Sequence, residues 1–411
     1  MKIVILNTAE NKGGAAIAAN RLMKALNLEG VEARMLVKNK STNDDNVTPV
    51  STTWIACKFN LFRFYWERLV IYIVSLFDRK NLFSVSIANT GTDISKHPIV
   101  RNADIIHLHW INQGFLSLSD IRKLINLNKP MVWTMHDLWI TNGVYHYPEG
   151  NKLRGLNLEK IIFNKKQKLP LSKITFLGCS KWITEQAKKS PLLQNAKFVS
   201  IPNTIDTSVF TPIEKAVARN YFDIPQDKFI ILFVADRVSE IRKGVVFFIE
   251  ACHLLFEKYP DLASKMEIVL MGGKSDDFTA VFPFPIHSLE YLTENKKIAM
   301  AYSLANMFII PSLGDNLPNT IMEAMSCGTP CVGFDIGGIP EMIDHKENGY
   351  VAKYKSAEDL AEGIVWVLNN ETQAMLSQKA RDKVLNTYSQ QQIASQHIAL
   401  YNSILKDNKN E

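Results

Sequence analysis

The chain has 411 residues, of which 46% are hydrophobic and 21% are charged. This composition excludes a disordered, collagen-like or disulfide-scaffold protein. One hydrophobic core rarely grows to this size, so we expect two domains of about 200 residues each. The formal net charge of +6 is divided unevenly, because residues 1–200 carry +14 and residues 201–411 carry −8. The first half is therefore expected to prefer anionic surroundings.

The five cysteines form no CxxC pair and lack the spacing of zinc ligands. An odd number without such spacing indicates free thiols in a reducing compartment, and it implies no structural metal. The apolar run after Lys2 has only the length of a strand, which is much shorter than the core of a signal peptide. We therefore expect a cytoplasmic protein.

The stretch Trp54–Phe77 is rich in aromatic and basic residues and comes nearest to a membrane segment. Its uncharged part, Leu69–Phe77, is too short to span a bilayer as a helix. Two interpretations remain open: a helix packed on its own domain, and a helix lying in a membrane interface. The positive charge of the first half adds weight to the second, with an anionic membrane surface met through residues 54–80. The charged residues that interrupt the stretch are Lys58, Arg63, Glu67 and Arg68.

Strand-like apolar runs alternate with helix-like segments along the whole chain, from Lys2–Asn7 to Pro330–Phe334. This order predicts an α/β protein with parallel, doubly wound sheets. The segment Ile201–Pro212 has two prolines and a cluster of turn-forming residues, and it is the best candidate for a linker. We predict an N-terminal domain over residues 1–205, a C-terminal domain over 206–388, and a helix over 389–411 that returns to the N-terminal domain.

Two strand-to-helix loops are suited to binding phosphate. Gly13 and Gly14 follow the first strand and open a helix, whose free N–H groups suit a phosphate or a sugar hydroxyl. Arg237 and Lys243 flank the loop after the first strand of the second domain, where two cations could clamp a diphosphate. Taken alone, the glycine loop fits a structural turn equally well, and solvated surface charges are the better explanation of Arg237 and Lys243.

The most informative stretch is Pro311–Glu341. It predicts an acidic loop with Asp315, a helix from about Leu317 to Ser326 that contains Glu323, a further strand and a Gly-Gly turn. An acidic residue before the helix and another inside it can hold two separate parts of one elongated ligand. On their own, Asp315 could instead cap the helix, and Glu323 could be an exposed carboxylate.

This stretch resembles the nucleotide-binding region of retaining glycosyltransferases of family 4, the group 1 set with the GT-B fold. The similarity is closer to bacterial enzymes of exopolysaccharide and capsule assembly, through the His-Asp-x-Trp segment that begins at His136. It implies two Rossmann-like, doubly wound domains facing a cleft. The residues that carry it are Asp315 in place of the family's first Glu, Glu323-Ala-Met-Ser-Cys-Gly-Thr-Pro330, Gly337-Gly-Ile-Pro-Glu341, Gly13-Gly14, His136-Asp137, and Arg237 with Lys243.

The resemblance implies a role for each matching residue. Glu323 binds the nucleotide ribose, Asp315 faces the hydroxyls of the transferred sugar, and Arg237 with Lys243 holds the diphosphate. His136 approaches the donor sugar, and Asp137 orients its ring. The implied catalytic residues are His136, Asp315, Arg237 and Lys243. The implied donor-binding residues are Gly13, Gly14, Arg237, Lys243, Asn316, Leu317, Asn319 and Glu323.

Four features set this sequence apart from the family or from other glycosyltransferases. Asp315 is one methylene shorter than the usual Glu, and Pro318 has no backbone N–H to offer to a donor. The loop Thr141–Glu149 lacks the cysteines common in these relatives, so their acceptor assignments do not transfer to this chain. The sequence contains no Asp-x-Asp, and we expect neither a metal nor a cofactor, with the nucleoside diphosphate sugar as substrate.

The resemblance implies a sugar transfer from a nucleoside diphosphate sugar to a glycan or a polyprenyl-diphosphate-linked acceptor. The setting would be bacterial cell-surface polysaccharide biosynthesis, at the inner face of the cell membrane, with no nucleic-acid partner. A nucleotide-sugar epimerase, a sugar phosphorylase and a non-catalytic sugar-nucleotide-binding protein remain open. A dehydrogenase is disfavoured because the glycine loop lacks the GxGxxG spacing.

Overall fold

The computed structural model describes residues 1–77, 79, 82–147, 153, 155–278, 280–369 and 373–410. The chain divides into two compact units, unit 1 (Met1–Thr204 and Gln391–Glu411) and unit 2 (Ile205–Gln390). The predicted boundary after residue 205 is one residue from the first division, and the predicted boundary after residue 388 is two residues from the second. Parts of two predicted segments lie outside the described residues. These are residues 148 and 149 of the loop Thr141–Glu149, and residues 78 and 80 of the range 54–80 that we expect to meet a membrane surface.

Unit 1 is built on a seven-stranded sheet with the order β3-β2-β1-β4-β5-β6-β7, in which every neighbouring pair is parallel. The strands are β1 (Lys2–Ala9), β2 (Glu32–Asn39), β3 (Val47–Pro49), β4 (Ile105–Leu108), β5 (Met131–Met135), β6 (Ile174–Gly178) and β7 (Lys197–Ser200). The helices are α1 (Gly14–Leu28), α2 (Trp54–Val74), α3 (Pro98–Asn102), α4 (Leu118–Ile125), α5 (Leu158–Gln167) and α6 (Lys181–Lys188).

The centre of this sheet is covered on both faces. Every residue of β4, β5 and β6 is buried, which explains their continuous apolar sequences. Four alanines of α1 are buried and let this helix approach the sheet closely: Ala16, Ala18, Ala19 and Ala25. The strand order reverses between β1 and β4, and such a switch point leaves a crevice for ligands at the carboxyl ends of the strands.

Unit 2 has a six-stranded parallel sheet with the order β10-β9-β8-β11-β12-β13. The strands are β8 (Phe229–Arg237), β9 (Met266–Gly273), β10 (Ile286–Ser288), β11 (Met307–Ile310), β12 (Cys331–Phe334) and β13 (Gly349–Ala352). The helices are α7 (Lys215–Tyr221), α8 (Val245–Lys258), α9 (Pro260–Ala263), α10 (Asn295–Ser303), α11 (Asn319–Ser326), α12 (Ile339–Met342), α13 (Ala357–Leu368) and α14 (Gln373–Thr387).

The chain returns from unit 2 to unit 1 through its last helix, α15 (Gln390–Asn410). Ile393, Ala394 and Tyr401 of α15 are fully buried in the core that includes residues of β1, β2 and α1. The phenol of Tyr401 also hydrogen-bonds Nδ1 of His107 on β4, at 2.7 Å. This helix therefore completes one face of the sheet of unit 1.

Helix α2 has an inverted distribution of side chains. Its buried residues are Asn60, Glu67, Arg68 and Ile71, of which three are polar or charged. Most of its large apolar side chains are exposed instead. No helix among the described residues is long and apolar enough to cross a bilayer. The burial of α2 thus combines polar contacts with the packing of Ile71 in the core of unit 1, whereas an ordinary amphipathic helix buries a mainly apolar face.

A buried ion pair attaches α2 to the segment that follows it. Nη2 of Arg68 lies 2.9 Å from Oε2 of Glu67, and both side chains are almost inaccessible to solvent. Oε1 of Glu67 accepts hydrogen bonds from the backbone N–H groups of Ile87 and Ala88, at 2.9 and 3.0 Å. Arg68 donates to the carbonyl of Val85 at 3.1 Å. The two charges are therefore compensated by each other and by the backbone.

Replacing Arg68 by Met should lower the free energy of unfolding by about 3–5 kcal/mol, because the buried carboxylate of Glu67 loses its partner. Chemical denaturation measures this change. The control is Lys188→Met, which removes an exposed 2.7 Å pair with Glu185 and should cost less than about 1 kcal/mol. Equal losses in the two variants would contradict this description of α2.

Candidate functional site

In unit 2, a carboxylate and two cations meet at the carboxyl end of β11. Oδ2 of Asp315 accepts hydrogen bonds from Nζ of Lys243 at 2.6 Å and from Oγ of Ser312 at 3.1 Å. Oδ1 of Asp315 lies 3.3 Å from Nη1 of Arg242. Burial by itself would raise the pKa of Asp315, but the charges of Lys243 and Arg242, together with the hydrogen bonds from Lys243 and Ser312, outweigh this effect and the pKa is lowered. Asp315 is therefore ionised and held by two cations.

Two glycines allow the backbone to bring these groups together. Gly337 has φ +62°, and a Cβ there would stand 1.7 Å from the carbonyl oxygen of Asp315. The next N–H, that of Gly338, donates to the carbonyl of Asn316 at 2.7 Å. Gly244 has φ +72°, and a Cβ there would stand 1.8 Å from the carbonyl oxygen of Pro311. The glycines of the sequence motif thus serve the close approach of two loops.

Glu323 lies on α11 and is 8% exposed. Its Oε2 accepts a hydrogen bond from the phenol of Tyr302, on α10, at 3.0 Å. Burial, together with the charge of Glu323, raises the pKa of Tyr302 well above its usual range, so the phenol remains a neutral donor. Tyr302 therefore fixes the direction of the Glu323 carboxylate.

The other predicted donor-binding residues of unit 2 lie around the same strand ends. Arg237 is the last residue of β8 and is exposed, whereas Lys243 ends a short 3-10 turn and contacts Asp315. Asn316 and Leu317 are buried, and Asn319 begins α11. Pro318 is the N-cap of α11, a position where its missing N–H interrupts no helical hydrogen bond.

In unit 1, Gly13 and Gly14 occupy the predicted turn between β1 and α1. Gly13 has φ +90° and is the N-cap of α1, which begins at Gly14. A Cβ at Gly13 would meet no described atom within 4 Å. The positive φ is therefore the reason for glycine at this position, and the space beside the turn is open.

Two histidines lie at the ends of neighbouring strands, His109 after β4 and His136 after β5. Nδ1 of His109 is 2.9 Å from Nε2 of His136. Nδ1 of His136 lies 4.0 Å from the sulfur of Cys179. Burial lowers the pKa of His136 to about 4, although the charge of Asp137 acts in the opposite direction. His136 is therefore neutral at physiological pH.

Asp137 makes its hydrogen bonds elsewhere than to the ring of His136. It accepts from Nε1 of Trp110 at 3.0 Å, from Nδ1 of His146 at 2.6 Å and from the N–H of Trp139 at 2.9 Å. The expectation that Asp137 orients His136 is thus corrected, because the ring nitrogens of His136 face His109 and Cys179. Asp137 instead holds the loop that follows β5.

Sequence reasoning missed several residues of these two sites. Arg242 precedes the singled-out Lys243 directly, and its basic charge was the only available signal. Nothing in the sequence around Tyr302 pointed to the site, because its hydrogen-bond partner Glu323 lies on another helix. For the described part of the chain, no group of three or more His, Cys, Asp or Glu side chains could hold a metal ion.

The outward face of α2 forms an exposed aromatic surface, which we call the α2 patch. Trp54 is 72% and Phe62 is 59% exposed. Nζ of Lys58 lies 5.4 Å from the centroid of the Trp54 ring. Exposed apolar side chains continue beyond the helix at Leu76, Phe77 and Phe83. The patch itself consists of Trp54, Ile55, Phe59, Leu61, Phe62, Tyr65, Trp66, Leu69 and Ile73.

Replacing Gly337 by Ala should displace the Asp315 loop and lower the free energy of unfolding by about 1–3 kcal/mol, because the new Cβ would overlap the carbonyl of Asp315. Chemical denaturation measures the loss. The matched control is Gly314→Ala in the same loop, where a Cβ meets no described atom within 4 Å. A Gly337→Ala protein as stable as its control would show that the loop does not need the glycine.

Comparison with known proteins identifies the class of enzyme. The family described as "Glycosyl transferases group 1" matches residues 228–370, which include Lys243, Asp315 and Glu323. The chain is 20% identical to the N-acetyl-alpha-D-glucosaminyl L-malate synthase of Bacillus anthracis, over 97% of this chain and 96% of that protein. It is 28% identical to the N,N'-diacetylbacillosaminyl-diphospho-undecaprenol alpha-1,3-N-acetylgalactosaminyltransferase of Campylobacter jejuni, over 43% of this chain and 46% of that protein.

A solved structure shows the fold. The structure of Anabaena HepE in complex with UDP-glucose matches with a TM-score of 0.65 and 15% identity, and it covers 98% of this chain and 100% of that one. Both units are parallel-sheet, Rossmann-like domains, as the sequence predicted. The chain therefore has the GT-B fold, carries a group 1 glycosyltransferase domain and is a glycosyltransferase.

Proposed function

We propose that this glycosyltransferase is a retaining enzyme that uses a nucleoside diphosphate sugar as donor. The observation that carries the proposal is the cluster of Asp315, Lys243 and Arg242 at the carboxyl end of β11. It combines a fixed carboxylate, suited to sugar hydroxyls, with cations suited to a diphosphate. The complex of HepE with UDP-glucose supports a donor of this class.

Negative charge grows on the diphosphate as the glycosidic bond breaks. Cations placed beside it stabilise that state more than the ground state, and this difference accelerates the reaction. We assign this role to Lys243 and Arg237, together with the N-terminus of α8 that follows Gly244. Because Arg242 also contacts Asp315, Lys243 can turn toward a phosphate while the carboxylate keeps a partner.

The remaining roles follow the same donor orientation. We assign Glu323, whose carboxylate is held by Tyr302, to accept hydrogen bonds from the two ribose hydroxyls. Asp315 accepts hydrogen bonds from hydroxyls of the transferred sugar. The neighbouring residues Asn316, Leu317 and Asn319 are assigned to donor binding beside it. No metal takes part in this scheme. As the bond from the anomeric carbon to the diphosphate breaks, the leaving diphosphate removes the proton of the incoming hydroxyl on the same face of the sugar. The new bond to the anomeric carbon then forms on that face, so the configuration is retained.

The proposed acceptor is a glycan or lipid-linked oligosaccharide of bacterial cell-surface polysaccharide assembly. Support comes from the Campylobacter jejuni relative, whose name specifies a diphospho-undecaprenol substrate. A polyprenyl-linked acceptor lies in a membrane, so the enzyme must meet a bilayer. We propose that unit 1 does so at the inner face of the cell membrane.

The α2 patch is the surface that we assign to this contact, with an anionic bilayer as its occupant. Three of the four buried residues of α2 are polar or charged, and its aromatic residues lie mostly on the exposed face. Tryptophan and tyrosine suit the boundary between headgroups and acyl chains, and lysine can extend to the headgroups. The charge of +14 on residues 1–200 adds attraction to anionic lipids.

A screen of UDP-, GDP- and ADP-sugars by thermal shift, followed by hydrolysis and transfer assays in EDTA, tests the donor site. We expect one nucleotide class to raise the melting temperature of the protein, and Glu323→Ala to abolish this shift. Lys243→Met should lower turnover about a hundredfold, because a cation at the leaving group is lost.

The control is Lys258→Met at the far end of α8, which should keep full activity. Full turnover in Glu323→Ala would contradict the donor-site assignment. Conversion of the donor sugar without any acceptor would indicate an epimerase, and activity that is lost in EDTA and restored by manganese would contradict the metal-free scheme.

Vesicle co-sedimentation tests the α2 patch. Binding should require anionic lipid, weaken with salt and fall at least about tenfold in Phe62→Ser/Trp66→Ser, because two side chains no longer enter the interface. The control is Phe256→Ser/Tyr259→Ser, which removes exposed aromatic residues from unit 2. Binding that is equal in both double variants, or independent of anionic lipid, would overturn the docking proposal.

A further inference from the structure

We propose that Asp315 is a specificity-determining residue that competes with the diphosphate for Lys243, unless a hydroxyl of the donor sugar takes the lysine's place. The site would then bind a nucleoside diphosphate sugar more tightly than the free nucleoside diphosphate, which is a product of the transfer. The geometry of the pair belongs to unit 2 alone. Its meaning for the ligand rests on the proposed donor.

Lys243 is held closely by Asp315. Nζ of Lys243 lies 2.6 Å from Oδ2 of Asp315, and the two side chains are only 18% and 13% exposed. Attraction between opposite charges is screened less where water is largely excluded. The lysine therefore has a strong partner within the protein itself, and a diphosphate must compete with that partner.

Lys243 also belongs to a row of four alternating charges. Nη2 of Arg242 lies 3.0 Å from Oε1 of Glu240, and Nη1 of Arg242 lies 3.3 Å from Oδ1 of Asp315. Two carboxylates thus stand against two cations, and these four formal charges cancel. Residues 201–411 as a whole carry −8. The row therefore offers a free diphosphate no excess of positive charge.

The oxygen that holds Lys243 has no room for a third donor. Oδ2 of Asp315 accepts from Nζ of Lys243 and from Oγ of Ser312, the latter at 3.1 Å. A carboxylate oxygen offers about two lone pairs, so a sugar hydroxyl that binds Oδ2 must replace one of these donors. Ser312 is fully buried, whereas Lys243 has the proposed diphosphate as a second partner. The hydroxyl therefore replaces Lys243, while Arg242 stays beside Oδ1 and compensates the carboxylate.

A donor that carries its sugar thus exchanges one partner of Lys243 for another. The hydroxyl binds Asp315, and the freed ammonium group pairs with the diphosphate. A free nucleoside diphosphate has no hydroxyl at that position, so it gains Lys243 only by leaving Oδ2 with one donor fewer. A shielded charge that loses a partner costs free energy, and this cost lowers the affinity for the free nucleotide.

The same exchange in reverse assists the release of the product. After transfer the sugar leaves with the acceptor, and Oδ2 of Asp315 is again open to Lys243. The lysine then returns to the carboxylate, and the diphosphate loses a cation. Because product release limits the turnover of many enzymes, this return favours repeated cycles.

Isothermal titration calorimetry with UDP, GDP and ADP tests the competition. Asp315→Asn keeps the shape of the side chain but removes the charge that holds Lys243. The nucleotide that binds the native protein should therefore bind this variant about tenfold more tightly. In a Lys243→Met background, Asp315→Asn should have little effect, because no lysine remains to be released.

The control is Glu240→Gln, which removes a charge from the same row but leaves the partner of the ammonium group in place. Its affinity for the nucleotide should change less than about threefold. Unchanged or weaker nucleotide binding in Asp315→Asn, or equal tightening in Glu240→Gln, would overturn the proposal.

The nucleotide sugar found in the donor screen supplies a second measurement, which uses only the native protein should Asp315→Asn fail to fold. It should bind at least about tenfold more tightly than its nucleoside diphosphate, and equal affinities would contradict the inference. If UDP, GDP and ADP bind neither the native protein nor Asp315→Asn, the proposed donor fails and this inference with it. Binding to the native protein without tightening in the variant refutes this inference alone.

Discussion

The structure depends on one constraint. When a strand is buried on both faces, only the loops at its ends can present polar side chains to solvent or to a ligand. Each position of β4, β5 and β11 is buried, so no side chain within these strands reaches solvent. The loops at their carboxyl ends carry the histidine pair of unit 1 and the Asp315 cluster of unit 2. Since all neighbouring strands are parallel, such loops gather along one edge of each sheet.

At these edges, charged groups are held by partners that also serve the fold. Asp315 keeps its charge because Lys243 and Arg242 compensate it, and the glycines at 244 and 337 let the backbones approach. Lys166 is fully buried in unit 1, and it donates to the carbonyls of Trp139 and Asn142 in the loop after β5. Burial lowers the pKa of the Lys166 amine well below its usual range, and the two fixed carbonyls take the place of water around it. The position of that loop and the charge of Lys166 are therefore linked.

The fold could be predicted from the sequence because alternation of apolar strands and helices determines a doubly wound sheet. The donor-site motif could be predicted because its residues are close in sequence. The pairs Tyr302–Glu323 and His109–His136 could not, since the direction of a side chain across two elements decides whether they touch. Asp137 illustrates the limit: its place beside His136 was evident, but its hydrogen bonds to Trp110 and His146 depend on loop geometry.

The return of the chain to unit 1 has a consequence for the order of folding. Ile393, Ala394 and Tyr401 fill the core beneath β1 and β2, but the ribosome makes them after all of unit 2. During synthesis, the apolar surface that α15 later covers stays open while unit 2 emerges and folds. Unit 1 is therefore the first domain to begin folding and the last to be completed. The hydrogen bond between Tyr401 and His107 forms only at that final stage.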